Sequence, residues 1–160
     1  MAAVSFAIAG AAWPGQYLRI VGSSAIAPHE ELMPNLHGMF IGARHRVLLE
    51  LLVSLVVVCL VWFIVRRNNF EYGMVAILVG GLLISYHAYL QDCVLLIPAL
   101  LMLQRPSTES YLRGISIVLL APFGYLYFMT HALFSWLIIM GFLLLLLGMC
   151  YATLRQSESR

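Results

Sequence analysis

His87 and Asp92 put an imidazole and a carboxylate five positions apart in the stretch Tyr86-His87-Ala88-Tyr89-Leu90-Gln91-Asp92, with apolar sequence on both sides. At membrane depth each charged group costs roughly 2.5–3.5 kcal/mol on insertion scales. Groups this costly persist where they line a cavity or do chemistry. This pair would bind phosphate or sugar, or move a proton. The bland alternative is that both sit at the interface, touch water and do nothing. Arg44-His45-Arg46 forms a second cluster. Arginine grips phosphate through a bidentate, charge-assisted fork. It also serves as an ordinary anchor to lipid headgroups. Glu50 stands four residues after Arg46 and is expected to pair with it. Gly80-Gly81 suits close helix packing. The sequence holds no zinc-protease motif, no phosphate-cradling glycine loop and no nucleophile elbow. No metal or other cofactor is expected.

The elements that must position these residues are membrane helices. Of 160 residues, 62% are apolar and 10% charged, against about 25% charged in soluble domains. The chain reads as an integral membrane protein whose first partner is the lipid bilayer. A net charge of +2 is too small to imply nucleic acid. Cys59, Cys93 and Cys150 lie in apolar runs at unrelated spacings, which suggests neither disulfides nor a metal site.

Hydropathy predicts an all-α fold of about five transmembrane helices in one polytopic domain. A partial span at 1–12 and an external loop at 13–46 precede spans at 47–65, 72–86, 90–103, 112–128 and 132–154. The apolar run from Tyr72 to Leu103 would be about 48 Å as one helix, too long for a hydrocarbon core of roughly 30 Å. It is therefore divided near Tyr86–Tyr89. Pro122 is read as a kink. Arg66, Arg67, Arg105, Arg113, Arg155 and Arg160 fall on one side, with Arg19, Arg44 and Arg46 on the other. The positive-inside rule puts the first group, and so the C-terminus, in the cytoplasm. The abrupt apolar start suggests a fragment of a longer chain.

Two stretches carry a family likeness. Ser85-Tyr86-His87-Ala88-Tyr89-Leu90-Gln91-Asp92-Cys93-Val94-Leu95-Leu96-Ile97-Pro98 and Met33-Pro34-Asn35-Leu36-His37-Gly38 resemble glycosyltransferase family 87, the polyprenol-phosphate-mannose-dependent mannosyltransferase-like proteins. Ser85, Tyr89, Asp92 and Pro98 match that pattern. Tyr86 stands where the family often has proline, and Gln91 where some members have histidine.

The resemblance implies the C-terminal part of a GT-C-like membrane enzyme, here in a bacterial plasma membrane. Such enzymes move a hexose, here mannose, from a polyprenyl-phosphate donor to an acceptor on the outer side. It also implies that the catalytic base, carried on an early acidic loop, lies outside this chain. His87, Asp92, Tyr89, Arg44, Arg46 and His37 would then contact donor and sugar. Two other readings stand beside it. One is a small non-enzymatic membrane protein, either an assembly partner or a remnant. The other is a proton pathway through Glu50, His87 and Asp92.

Overall fold

Asparagine and proline set the helix boundaries. Asn35 caps a short helix, α1 (Leu36–Met39), by accepting the Gly38 N–H at 2.8 Å. After a turn comes α2 (Arg46–Arg67), 22 residues of mostly Leu and Val with no glycine or proline to break them. It ends at Asn68, whose Nδ2 donates to the Ile64 carbonyl at 3.1 Å. Asn69 then caps α3 (Phe70–Ile84) by accepting from the Tyr72 N–H at 3.1 Å. One asparagine stops a helix and the next starts its antiparallel neighbour.

The chain then runs through a 3-10 helix (Leu90–Leu95) into α4 (Leu96–Met102). Pro98 is the third residue of α4, within the first turn, where a missing N–H breaks no helical bond. The same missing N–H prevents the α pattern from running unbroken back through residues 90–95. Next come α5 (Ser110–Leu120) and α6 (Ala132–Glu158). α5 stops at Ala121, held extended at ψ 124°, as expected of a residue that precedes proline.

The computed structural model describes residues 12, 15, 19, 33–86, 88, 90–121 and 132–158, without the side chains of 90, 91, 132–134 and 156–158. The chain divides into two units, Met1–Glu30 and Glu31–Arg160. All the elements named above belong to the second.

Among the described residues, two helices are long and apolar enough to cross a membrane, Arg46–Arg67 and Ser135–Arg155. This corrects the expectation of about five. The span expected at 72–86 is the 15-residue α3, about 22 Å long. The span expected at 90–103 is six residues of 3-10 helix and seven of α-helix, together also about 22 Å. The span expected at 112–128 ends as a helix at Leu120. In each case an apolar run is long enough to cross, but a local break in the backbone divides or ends it. The partial span at 1–12 and the Pro122 kink lie outside the described residues, apart from Ala12.

The 27-residue α6 is the central post, packed against α1, α2, α3 and α5. Ile139, Phe142, Leu145 and Leu146 carry its core face, fully buried together with Val79, Leu83, Leu96 and Leu100. Glycines let two helix pairs close. A Cβ on Gly80 of α3 would lie 2.5 Å from Val61 Cγ2 of α2, and one on Gly141 of α6 2.8 Å from Leu119 Cδ2 of α5. Gly148, seven residues on, meets Leu112 and Tyr111 of α5 in the same way. Small residues at such contacts let backbones approach closely in lipid. Gly81 faces open space.

α3 and α4 pack side by side, and Arg105 beyond α4 pairs with Glu71 near the start of α3. The hairpin thus enters and leaves at one end of the bundle. That end also holds the bonds from Asn68 Nδ2 to Thr153 Oγ1 (2.6 Å) and from Tyr111 Oη to the Gly148 carbonyl (3.1 Å).

α2 and α6 differ in cover. About 11% of the α2 spanning window is buried, against 44% for α6. Leu48, Leu51, Leu55, Val58 and Trp62 are exposed along α2, and only Val57 and Ile64 are buried. A helix apolar all round and uncovered over nearly its whole length belongs in lipid rather than water. The chain is an integral membrane protein.

Candidate functional site

The polar groups at the other end of the bundle gather where α1 meets the start of α2 and the end of α3. Asn35 is fully buried. Besides capping α1, its Nδ2 donates to the Ser85 carbonyl at 2.8 Å and the Tyr86 carbonyl at 3.3 Å. These carbonyls follow the last turn of α3, where the helix offers them no partner. One side chain therefore starts one helix and closes the end of another, 50 residues away. Ser135 of α6, also buried, donates to the Met33 carbonyl at 3.0 Å.

His37 is buried beside this clasp. Its Nδ1 lies 3.3 Å from Glu50 Oε2, and Arg46 Nη2 contacts its Nε2. The same Nη2 lies 3.0 Å from Nδ1, so the guanidinium sits against the ring rather than on the lone pair of one nitrogen. The Tyr86 ring lies over the imidazole, centroids 4.0 Å apart and tilted by 52°. Arg46 and Glu50, expected to face each other one turn apart, both reach His37. The opposite charges of Arg46 and Glu50 offset each other about the ring, which lowers the cluster's cost at the membrane boundary.

Of the residues singled out from sequence, the structure brings His37 and Arg46 together. Arg44 is exposed on the turn before α2. His87 and Tyr89 lie outside the described residues. Asp92 sits half-buried on the 3-10 helix. It lines a groove of about 380 Å³ with Ser85, Ala88, Leu95, Leu96 and the α3 residues Ile77, Leu78, Gly81 and Leu82. Ser85 is common to groove and clasp. Next to Asp92, the Cys93 thiol is pushed up to about 12, first by burial and second by the neighbouring carboxylate. It is a protonated packing residue and no nucleophile.

Sequence reasoning missed Asn35 and Ser135. Asn35 had a visible signal, an asparagine directly before Leu36-His37-Gly38, as a helix cap requires. Ser135 had none.

The two stretches that carry the family likeness do meet in space, through the bonds from Asn35 to Ser85 and Tyr86. No protein-family model, curated protein or solved structure matches the chain. The glycosyltransferase reading is overturned by what surrounds those stretches. In place of a polytopic bundle, the described residues hold two spanning helices. A sugar site needs several converging hydrogen-bonding groups, and among the described residues the groove at Asp92 offers two polar side chains, Ser85 and Asp92, among apolar ones. Among the described residues, no three His, Cys, Asp or Glu side chains gather as metal ligands.

Proposed function

We propose that this chain is a non-enzymatic integral membrane protein that serves as an assembly partner for other membrane helices. One observation carries the reading: its polar side chains are used in holding its own fold. Asn35 clasps α1 to the end of α3, and His37 joins Arg46 to Glu50. Asn68 ties α2 to Thr153 of α6, and Arg105 pairs with Glu71 across the hairpin. Gln104 donates to Ser116, and Ser116 to the Arg113 carbonyl. All but the Ser116 bond to Arg113 within α5 join one part of the chain to another. Among the described residues they do not converge on a cleft of the size and polarity that a substrate needs.

The partner surface is α2. It is the longer uncovered span, and its exposed Leu48, Leu55 and Trp62 recur every seven residues, the repeat of a helix–helix seam. The arginine-rich end faces the cytoplasm, with the C-terminus there, by the excess of Arg66, Arg67, Arg105, Arg113 and Arg155 over Arg44 and Arg46 among the described residues of the second unit.

The test is photocrosslinking in native membranes. A photoreactive residue at exposed Leu55 should give a discrete protein adduct, and one at buried Val57 should give none. Lipid adducts alone at Leu55 would overturn the assembly role.

A further inference from the structure

α2 turns its uncovered side away from the bundle. Val57 and Ile64 are buried on the face that meets the bundle, where Val57 and Val61 lie against Gly80 of α3. Leu48, Leu52, Leu55, Cys59, Trp62 and Arg66 are exposed on the opposite face. They follow one another at alternating intervals of four and three, so at 3.6 residues per turn they form one stripe along the helix. The stripe is apolar until its last member. Arg66 is in register with it and in contact with it, since the guanidinium lies 4.7 Å from the centroid of the Trp62 ring. A cation held over a ring keeps its charge and gives up rotamer freedom before anything binds. Arg66 pairs with no carboxylate among the described residues. Arg67 carries the same charge but stands about 100° round the helix, over Phe63.

We propose that the stripe docks a membrane helix of a different protein, one that carries an aspartate or glutamate at the level of Arg66 and apolar side chains along the rest of the contact. This rests on the assembly role and names the chemistry of its partner. Charge decides against a second copy of this chain. Copies inserted in the same sense pair side by side about a two-fold axis, so each stripe residue meets its own counterpart. Arg66 would then face Arg66, and like charges opposed at an interface repel. A carboxylate in that place instead gives Arg66 a charge-assisted, two-pronged bond. The repeat along the rest of the stripe then sets the register of the pair. Lipid fits less well. A headgroup phosphate would meet Arg66, but fluid acyl chains take no register along Leu48 to Trp62 and gain nothing there over bulk lipid.

The test extends photocrosslinking from Leu55 in native membranes. The full chain is expressed as two differently tagged copies, and adduct yield is compared among the unmodified chain, Arg66→Gln, Arg66→Glu and Arg67→Gln. Arg66→Gln and Arg67→Gln remove the same charge from the same end, so any effect on insertion is common to both. Adduct to another protein should fall roughly threefold in Arg66→Gln, at the average strength of polar contacts between membrane helices. It should fall further in Arg66→Glu and hold in Arg67→Gln. The span of the adducted protein should end in Asp or Glu, and Lys in place of that residue should restore the yield in Arg66→Glu. Equal yields in R66Q and R67Q overturn the carboxylate-bearing partner and leave the assembly role standing. An adduct joining the two tags overturns that partner in favour of self-association. Lipid adducts alone overturn the assembly role and the partner together.

Discussion

Asn35 occupies a position that only an amide can fill. Its oxygen accepts from Gly38 while its nitrogen donates to the Ser85 and Tyr86 carbonyls. Aspartate would keep the cap and turn a negative charge toward two carbonyls. Alanine would leave one N–H and two carbonyls buried without partners, at about 1–3 kcal/mol for each group that water does not reach. Asn35→Ala should therefore lower the thermal midpoint in detergent clearly, and Asn35→Asp by a similar amount. An unchanged midpoint in both would show that the clasp contributes nothing. A second residue-scale prediction concerns Cys93. With its thiol pushed up to about 12, the thiolate fraction at pH 8 is about one in ten thousand. Thiolate-dependent alkylation in the folded protein should stay negligible from pH 7 to 9 and rise only on denaturation, when the group returns toward its ordinary value. The sign is that of an acid whose charged form is disfavoured by burial. Ready labelling at pH 7.5, read by mass, would contradict it.

At the scale of elements, α2 was legible because nineteen residues, apolar but for Glu50 and Ser54 and bracketed by arginines, permit one reading, and α6 because nothing in it interrupts the helix. The ends Arg46–Arg67 and Ala132–Glu158 fall close to those expected at 47–65 and 132–154. The break before Asp92 was legible as well, since the run from Tyr72 is too long for one span. Backbone effects that hydropathy does not register stayed hidden. Hydropathy carries the fourth run on to residue 128, but Ala121, the residue before a proline, already leaves the helix. The span expected at 90–103 changes from 3-10 to α between Leu95 and Leu96, two residues before Pro98. Glycine pairs show the same mixture. Gly80-Gly81 was read as one packing element, but Gly80 meets α2 and Gly81 meets nothing. A Cβ at Gly80 pushes on stiff Val61, so Gly80→Ala should destabilise by about 1–3 kcal/mol. Gly81→Ala should be neutral or gain up to about 1 kcal/mol from helix propensity. Parallel unfolding measurements on the two variants check the contrast, and equal effects would remove the close contact between α2 and α3.

For the molecule as a whole, the polar groups sort by end. Asn35, His37, Arg46, Glu50, Tyr86 and Ser135 lie at one, and Asn68, Glu71, Arg105, Tyr111 and Thr153 at the other. Composition alone showed that the chain belongs in a membrane. It did not show which polar residues meet, because His37 and Glu50 are brought together by the turn between α1 and α2, and Met33 and Ser135 by packing of α1 on α6. The proposed orientation rests on the distribution of arginines between the two ends. A fluorescent protein fused at the C-terminus should be bright and an alkaline phosphatase fusion there inactive. Active phosphatase would invert the bundle and move the His37 cluster to the cytoplasmic side.

The bond from Ser135 to the Met33 carbonyl spans 102 residues of sequence. A ribosome adding about 5–20 residues per second needs roughly 5–20 s to make the second partner after the first. Through that interval α1 has no α6 to dock on, and the Met33 carbonyl must be served by water or by headgroups. The Met33–Ser135 bond therefore closes well after Asn35 has met Ser85, and the bonds to Gly148 and Thr153 at the other end close later still. A chain arrested before Ser135 would present an open α1 end, a mark by which a quality-control protease in the membrane could tell an unfinished copy from a finished one.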